Sequence, residues 1–301
     1  MHLSFIYLYG GAAVNHVQLI TDGTAYLPAA RLRELGIISL PVVARAKNKL
    51  FMYDQQAKGH IELLEYLAQD RAPVEIVGPA PDDFRAVFER TLYRTNRMLV
   101  ILSSEHLSPV LNNAQIAARD FMGRCDITIL DSQTISVGLG LLVERAGELL
   151  QEGELSLPEV IRRVRGMIPR IYVVMVTHTL DYLYRSRKLS AMQAILGSML
   201  NTHPFLVIED GAIIPQEKSR TPEKSLDKLV EFASEFTYIQ DLVIFHGGSE
   251  ASFAELASLR NRLEQVLLNR DFPAIIYDPI LATHLGPNGI GMVIYQGSGR
   301  L

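Results

Sequence analysis

The chain has 301 residues, 48% hydrophobic and 21% charged, with a net charge of −4, a composition of soluble globular proteins with material for more than one core. The acidic balance lacks the clustered positive charge of a nucleic-acid footprint. No stretch reaches the ~18 apolar residues that a bilayer span needs, so stable membrane insertion is not expected either.

In chain order, Met1–Ala13 is apolar but lacks the Lys/Arg start of a signal peptide, and reads as an extension ahead of the first strand. That strand is expected over Val17–Thr21, ending in Asp22-Gly23-Thr24. A helix follows from Pro28 to Leu35, with Gly36 as its stop. Ile37–Val43 reads as one buried strand, residues 44–58 as polar and irregular, and Ile61–Leu67 as helical. Val74–Val77 is a strand running into Gly78-Pro79. Asp82 and Asp83 then sit in the first turn of a helix whose Phe84, Val87, Phe88 and Leu92 share a face. Met98–Leu102 and Ile127–Leu130 are further strands, each followed by a helix, over 109–122 and 135–150. Strands alternating with helices imply a mostly parallel sheet covered on both faces, with ligands beyond the carboxyl ends of its strands.

A helix over Pro158–Val164 precedes Gly166-Met167-Ile168-Pro169, read as the boundary between an N-terminal domain, 1–168, and a C-terminal one, 169–301. Beyond it come a strand, Ile171–Val176, and helical segments through Leu200. A hairpin follows, Phe205–Ile208 and Ala212–Ile214 about an Asp210-Gly211 turn. Thr221-Pro222 caps a helix with Leu226, Leu229, Val230, Ala233 and Phe236 inward. After the strand Leu242–Phe245, Ser252 and Glu255 form a capping box for a helix burying Phe253, Leu256, Leu263, Val266 and Leu267. The expected fold class is two α/β domains, the first a mostly parallel sheet flanked by helices and the second a mixed sheet with helices.

The chemistry-bearing stretch is His284-Leu285-Gly286-Pro287-Asn288-Gly289-Ile290-Gly291, between the strand-like runs Ala274–Tyr277 and Met292–Tyr295. It reads as a loop whose glycines let the backbone approach a bound group, with His284 as a donor to an anion. The plainer alternative is a tight inter-strand turn with a hydrogen-bonded histidine. Ser108 and His284, with Asp22 or Asp131, could compose a hydrolase, but no Gly-x-Ser-x-Gly elbow accompanies them. No phosphate-binding loop is present, and Gly138-Leu139-Gly140 falls within a helix. His178, His203 and His246 lack metal-ligand spacing and read as structural, while Asp22 and Asp131 read as helix caps or loop anchors. The one cysteine, Cys125, excludes an internal disulfide and a cysteine metal cluster, and fits a reducing cytoplasm. No metal, no cofactor and no catalysis by this chain are expected.

Seven stretches in order resemble the DegV family of fatty-acid-binding proteins, which includes the lipid-carrying subunits of bacterial fatty acid kinase. Thr21-Asp22-Gly23-Thr24-Ala25-Tyr26-Leu27-Pro28 resembles its opening motif. Leu107-Ser108 followed by Asn113–Ala118 resembles its serine-led helix start, and Leu130-Asp131-Ser132 through Gly138-Leu139-Gly140 its next signature. Thr179–Leu183, Gly197-x-x-Leu200-Asn201-x-x-Pro204 and Lys218-x-Arg220-Thr221 fall in the same order, and His284-x-Gly286-Pro287-x-Gly289-x-Gly291 is similar to the family's histidine loop. The resemblance runs from about Val17 to the C-terminus. It implies a fatty acid held between the domains, with Ser108 and His284 at the carboxylate, and a carrier that offers its lipid to a separate ATP-binding kinase. Arg185, Arg187 and Arg220, with Lys188, then become a docking patch for that partner, or simply a solvated surface.

Departures from the family pattern cluster at the head group. Ile76-Val77-Gly78-Pro79 stands where the family has two hydroxyls, Pro109 has no backbone N–H to give, Gly23 replaces a serine, and Asn288 a loop glycine. Thr24, Ser103, Ser104 and Thr283, with the backbone at Gly78 and Gly286, are the expected compensating donors. The other readings left open are a degenerate member acting as lipid sensor or scaffold, and an enzyme acting on a small anion.

Overall fold

The computed structural model describes residues 16–47, 49–53, 59–69, 74–179, 181–185, 202–268 and 270–297. Four parallel strands, β1 (Gln18–Asp22), β2 (Ile38–Leu40), β6 (Arg97–Leu102) and β7 (Asp126–Asp131), form a sheet in the order β2-β1-β6-β7. Strand β6 shows why it lies at the centre. Met98, Val100 and Leu102 alternate with Leu99 and Ile101, all are fully buried, and the two sets belong to different cores. The first set packs under α3 (Pro81–Leu92) and α4 (Val110–Ala118) through Phe84, Phe88, Val110 and Ala114. The second packs under α5 (Ser136–Glu152) and α6 (Leu157–Met167) through Leu139, Leu142, Val143, Val160 and Val164. Each such aliphatic side chain contributes roughly 1.5–3 kcal/mol on leaving water.

Two expectations change here. The run Ile37–Val43 is not one strand: it breaks at Pro41, which has no N–H for a ladder, and the chain leaves the parallel sheet. Of the run 44–58 expected to be irregular, 44–46 and 49–53 lie, with Val42 and Val43, in regular strands. They form β3 (Val42–Ala46) and β4 (Lys49–Tyr53), an antiparallel hairpin joined by β5 (Glu75–Ile76) in a separate sheet of order β4-β3-β5. Arg45, Leu50 and Met52 form the exposed face and alternate with the buried Ala44, Ala46, Phe51 and Tyr53, while Lys49, opposite Ala46, lays its ammonium over the Phe51 ring at the end of the hairpin. Helix α2 (Gly59–Gln69) lies against β4, and α1 (Ala29–Glu34) follows β1.

The second half is a six-stranded mixed sheet, order β10-β9-β8-β13-β11-β12. Its strands are β8 (Ile171–Val176), β9 (His203–Glu209), β10 (Ala212–Ser219), β11 (Ile239–His246), β12 (Ala274–Ile276) and β13 (Ile290–Gln296), with a short helix α7 (Asp181–Arg185) after β8. All pairings are antiparallel except β11 with β12. The β9–β10 turn has Asp210 at φ 47° and Gly211 at φ 80°, two positive angles in succession that match the twist of the flanking strands. One face of the sheet is covered by α8 (Pro222–Ser234) and α9 (Glu250–Val266) through Leu226, Leu229, Leu256, Leu259 and Leu263. The other face presents Val173, Met175, Leu206, Phe245 and Val293 to the core that α5 shares with the first half. Helix α9 starts at Ser249, whose Oγ accepts from Ser252 N at 3.1 Å, three residues before the expected cap. Glu255 instead pairs with His178 at 2.8 Å. That shift also leaves Phe253 and Val266, expected inward, about half exposed.

Candidate functional site

The crevice of a parallel α/β sheet opens where successive connections leave in opposite directions, here between β1 and β6. Asp22 ends β1, is wholly buried, and organises this edge. Its Oδ1 accepts from the Thr24 backbone N–H at 3.0 Å and hydroxyl at 2.5 Å, and its Oδ2 from the Ser103 N–H at 2.8 Å. A carboxylate so bonded is a loop anchor rather than an acid available for catalysis.

Downstream of β6, the Ser104 carbonyl accepts from Ser108 N at 3.0 Å, which turns the chain into α4. Ser108 is 1% exposed, and its Oγ accepts from Val110 N at 3.2 Å. The hydroxyl thus caps the helix with a lone pair, and its proton has no acceptor among the described residues. Capping the helix and donating to a ligand are compatible for this serine in one geometry. Gly78, at φ 66°, lies against Pro109 and Val110 at the same helix start.

The compensating hydroxyls are distributed otherwise than their positions suggest. Thr24 donates to Asp22, Ser104 to the Gly211 carbonyl at 2.7 Å, and Thr283 to the Ile280 carbonyl at 2.8 Å. Each proton is committed inside the fold. Ser103 Oγ, Thr134 Oγ1 and Ser136 Oγ are the buried hydroxyls of this edge that have no hydrogen-bond partner among the described residues.

His284 does not sit on a loop. It is on α10 (Pro279–Leu285), a short helix ending in a 3-10 turn over Gly286–Asn288. Of the three glycines in this stretch only Gly286 has a positive φ, 70°; Gly289 is extended and Gly291 belongs to β13. A Cβ on Gly286 would stand 2.1 Å from the Tyr182 ring, so close packing as well as backbone angle requires glycine there. The ring nitrogen Nδ1 of His284 lies 2.6 Å from the Ile280 carbonyl, which fixes Nδ1 as the protonated nitrogen. Nε2 is then an acceptor in the neutral ring and a donor in the charged one.

Sequence reading missed Asp278, the N-cap of α10. It is 1% exposed; Oδ1 accepts from Ile280 N at 2.8 Å and Leu281 N at 3.3 Å, while Oδ2 has no hydrogen-bond partner among the described residues. Burial pushes its carboxyl up to about 6 against the pull of the two backbone N–H groups, and the charge of Asp22 pushes the same way. The interaction with Asp22 brings the start of α10 to the carboxyl edge of the parallel sheet, and Ser136 faces the same carboxyl without reaching hydrogen-bond geometry. An Asp before a Pro at a helix start was the available signal.

Around this polar edge the apolar core is continuous. Ile101 and Leu107, beside Ser108, belong to the same cluster as Leu63, Leu64 and Leu67 of α2 and Ile280, Leu281 and Leu285 of α10. Of the basic residues, Arg220 is exposed between β10 and α8. The Arg185 side chain, Arg187 and Lys188 lie outside the described residues, as do Gly197, Leu200 and Asn201. No group of His, Cys, Asp and Glu side chains among the described residues could hold a metal ion, and no described helix is long and apolar enough to cross a membrane.

Comparison with known proteins meets this architecture along nearly its whole length. A DegV domain-containing protein of Deinococcus radiodurans is 26% identical over 285 residues, covering 92% of this chain and 98% of the relative. A fatty-acid-binding DegV family protein from Thermus thermophilus superposes with a TM-score of 0.79 at 25% identity, over 93% of this chain and 99% of its own. One from Streptococcus agalactiae, also described as fatty acid binding, reaches 0.84 at 24% identity over 94% and 99%, and speaks for the fold. The family model described as an uncharacterised protein of the DegV family matches residues 16–297, and with that span covered this chain belongs to the DegV family.

Proposed function

We propose that this chain binds a long-chain fatty acid, burying the tail in the apolar core between its halves and holding the carboxylate with Ser108 and His284. One observation carries the reading: the uncommitted hydroxyl proton of buried Ser108 stands at the edge of an apolar cluster that reaches the helix bearing His284. A tail of about fifteen methylenes gains on the order of 12 kcal/mol on leaving water. The carboxylate must then meet donors, since an unpaired buried charge is very costly. The binding of fatty acid by the Thermus relative supports the same assignment.

In this reading the two domains comprise residues 1–168 and 169–301. The chain is a cytoplasmic carrier that does no chemistry itself and offers its lipid to a separate kinase, with Arg185, Arg187 and Arg220 on the docking side. Titration with oleate, followed calorimetrically, tests the binding. Ser108→Ala and His284→Ala should each weaken it at least tenfold, and unchanged affinity in both would refute the assigned site.

A second reading, a lipid sensor or scaffold with altered head-group selectivity, draws on the apolar Ile76 and Val77 and on the Thr24, Ser104 and Thr283 protons spent within the fold.

A further inference from the structure

On another side of the junction between the halves, where α5 and α6 face β11 and β13, lies a cleft of about 750 Å3. Arg162 and Arg163 of α6 line it, with Arg170 just before β8, Glu144 and Glu148 of α5, and Asp241 of β11. The lining carries the arginines Arg145, Arg162, Arg163 and Arg170 against the carboxylates Glu144, Glu148 and Asp241. Glu144 and Glu148 are both bridged by Arg31 at 2.6 and 2.5 Å, which also pairs with Glu34 at 2.9 Å, while Arg145 contacts Glu148 at 3.1 Å and Glu152 at 3.5 Å. Arg162 and Arg163 are exposed and have no ion-pair partner among the described residues. Arg170 lies with its guanidinium 5.5 Å from the Tyr295 ring centre, and its Nη2 is buried with no hydrogen-bond partner among the described residues. Near these three cations stand Glu159, whose carboxyl feels the charges of Arg162 and Arg163, and Asp241, whose carboxyl burial pushes above its ordinary range while the charge of Arg270 opposes.

A buried guanidinium N–H without an acceptor is costly, and the planar fork of arginine matches the oxygens of a phosphate. The volume is that of a small-molecule site, too large for a single water. We propose that this cleft is a second binding site, for a small phosphate-bearing anion held by Arg162, Arg163 and Arg170. The site is separate from the acyl site and independent of that assignment. Because its walls come from both halves, an occupant would join them.

The test is calorimetric titration of the full chain with sodium pyrophosphate at near-physiological salt, alongside vesicles containing phosphatidic acid. Saturable one-to-one binding of pyrophosphate is expected, with loss of at least thirtyfold in affinity in the exposed double variant R162E/R163E and about tenfold in Arg170→Ala. Arg170→Lys should recover only part of that loss, because a single ammonium cannot replace the fork. Oleate affinity should be unchanged in all three, and an unaltered melting temperature of R162E/R163E certifies its fold. Absence of saturable pyrophosphate binding, equal affinity in wild type and R162E/R163E, or binding of the vesicles alone would overturn the proposal.

Discussion

Asp22 and Ser103 join the two strands that flank the crevice: the Asp22 carboxylate accepts the Ser103 backbone N–H at 2.8 Å across the junction of β1 and β6. The same carboxylate takes both the N–H and the hydroxyl of Thr24. The first residues of both loops therefore hang on one wholly buried side chain. Asp22→Ala would leave two buried N–H groups unpaired, at about 1–3 kcal/mol each. Chemical denaturation should show a loss of at least 3 kcal/mol; a loss below 1 would mean that the carboxylate anchors nothing.

Ser108 has two roles that separate by substitution. Ser108→Ala removes a cap on Val110 N, at about 1 kcal/mol of stability. It also removes a donor to the ligand, worth roughly 1.5–3 kcal/mol, or ten- to a hundredfold in affinity. Threonine can serve both roles. A Ser108→Thr protein that melts like wild type but binds oleate no better than Ser108→Ala would place the carboxylate elsewhere.

Asp278 makes stability depend on pH. Its carboxyl stands at about 6 in the folded chain against 3.8 ordinarily, so the folded state holds the proton more tightly. The stability this contributes is complete below about pH 4 and is lost as pH rises towards 6, an effect of about 3 kcal/mol at 1.36 per unit. Asp278→Asn keeps an oxygen for Ile280 N and Leu281 N and removes the titration. Its unfolding free energy should therefore gain on wild type between pH 4 and pH 7. A wild-type minus variant difference that is flat over that range would contradict the assignment.

Gly286 holds a positive φ against the Tyr182 ring, whose hydroxyl donates to the Leu67 carbonyl at 3.0 Å. Gly286→Ala combines backbone strain with a clash and should cost at least 2 kcal/mol. Oleate affinity should fall with it, because α10 and α2 are displaced together. A stable variant with wild-type affinity would show that the turn tolerates a side chain.

Much of the fold is legible because its signals are local. The apolar alternation of Met98–Leu102, the Asp210-Gly211 turn and the Pro81 and Pro222 helix starts each declare their element within a few residues. The β3–β4–β5 sheet is not legible, because its exposed face mixes Arg45 with the apolar Leu50 and Met52, which breaks the alternation of polar and apolar residues, and no glycine marks the sequence between β3 and β4. The α10 helix was hidden for a different reason. Its seven residues follow a proline and run into a glycine-rich turn, so punctuation outweighed helical periodicity. At the site, residue types alone name hydroxyls but not where their protons go. That Ser104 donates to Gly211, more than a hundred residues later, depends on how the two halves pack.

The most direct measurement is native mass spectrometry of the protein purified from a bacterial host, with solvent extraction of what it carries. Binding of a long-chain fatty acid in the crevice predicts an adduct of one fatty acid per chain, lost in the Ser108→Ala/His284→Ala double variant. A protein that emerges empty and takes up no added oleate would contradict the carrier reading.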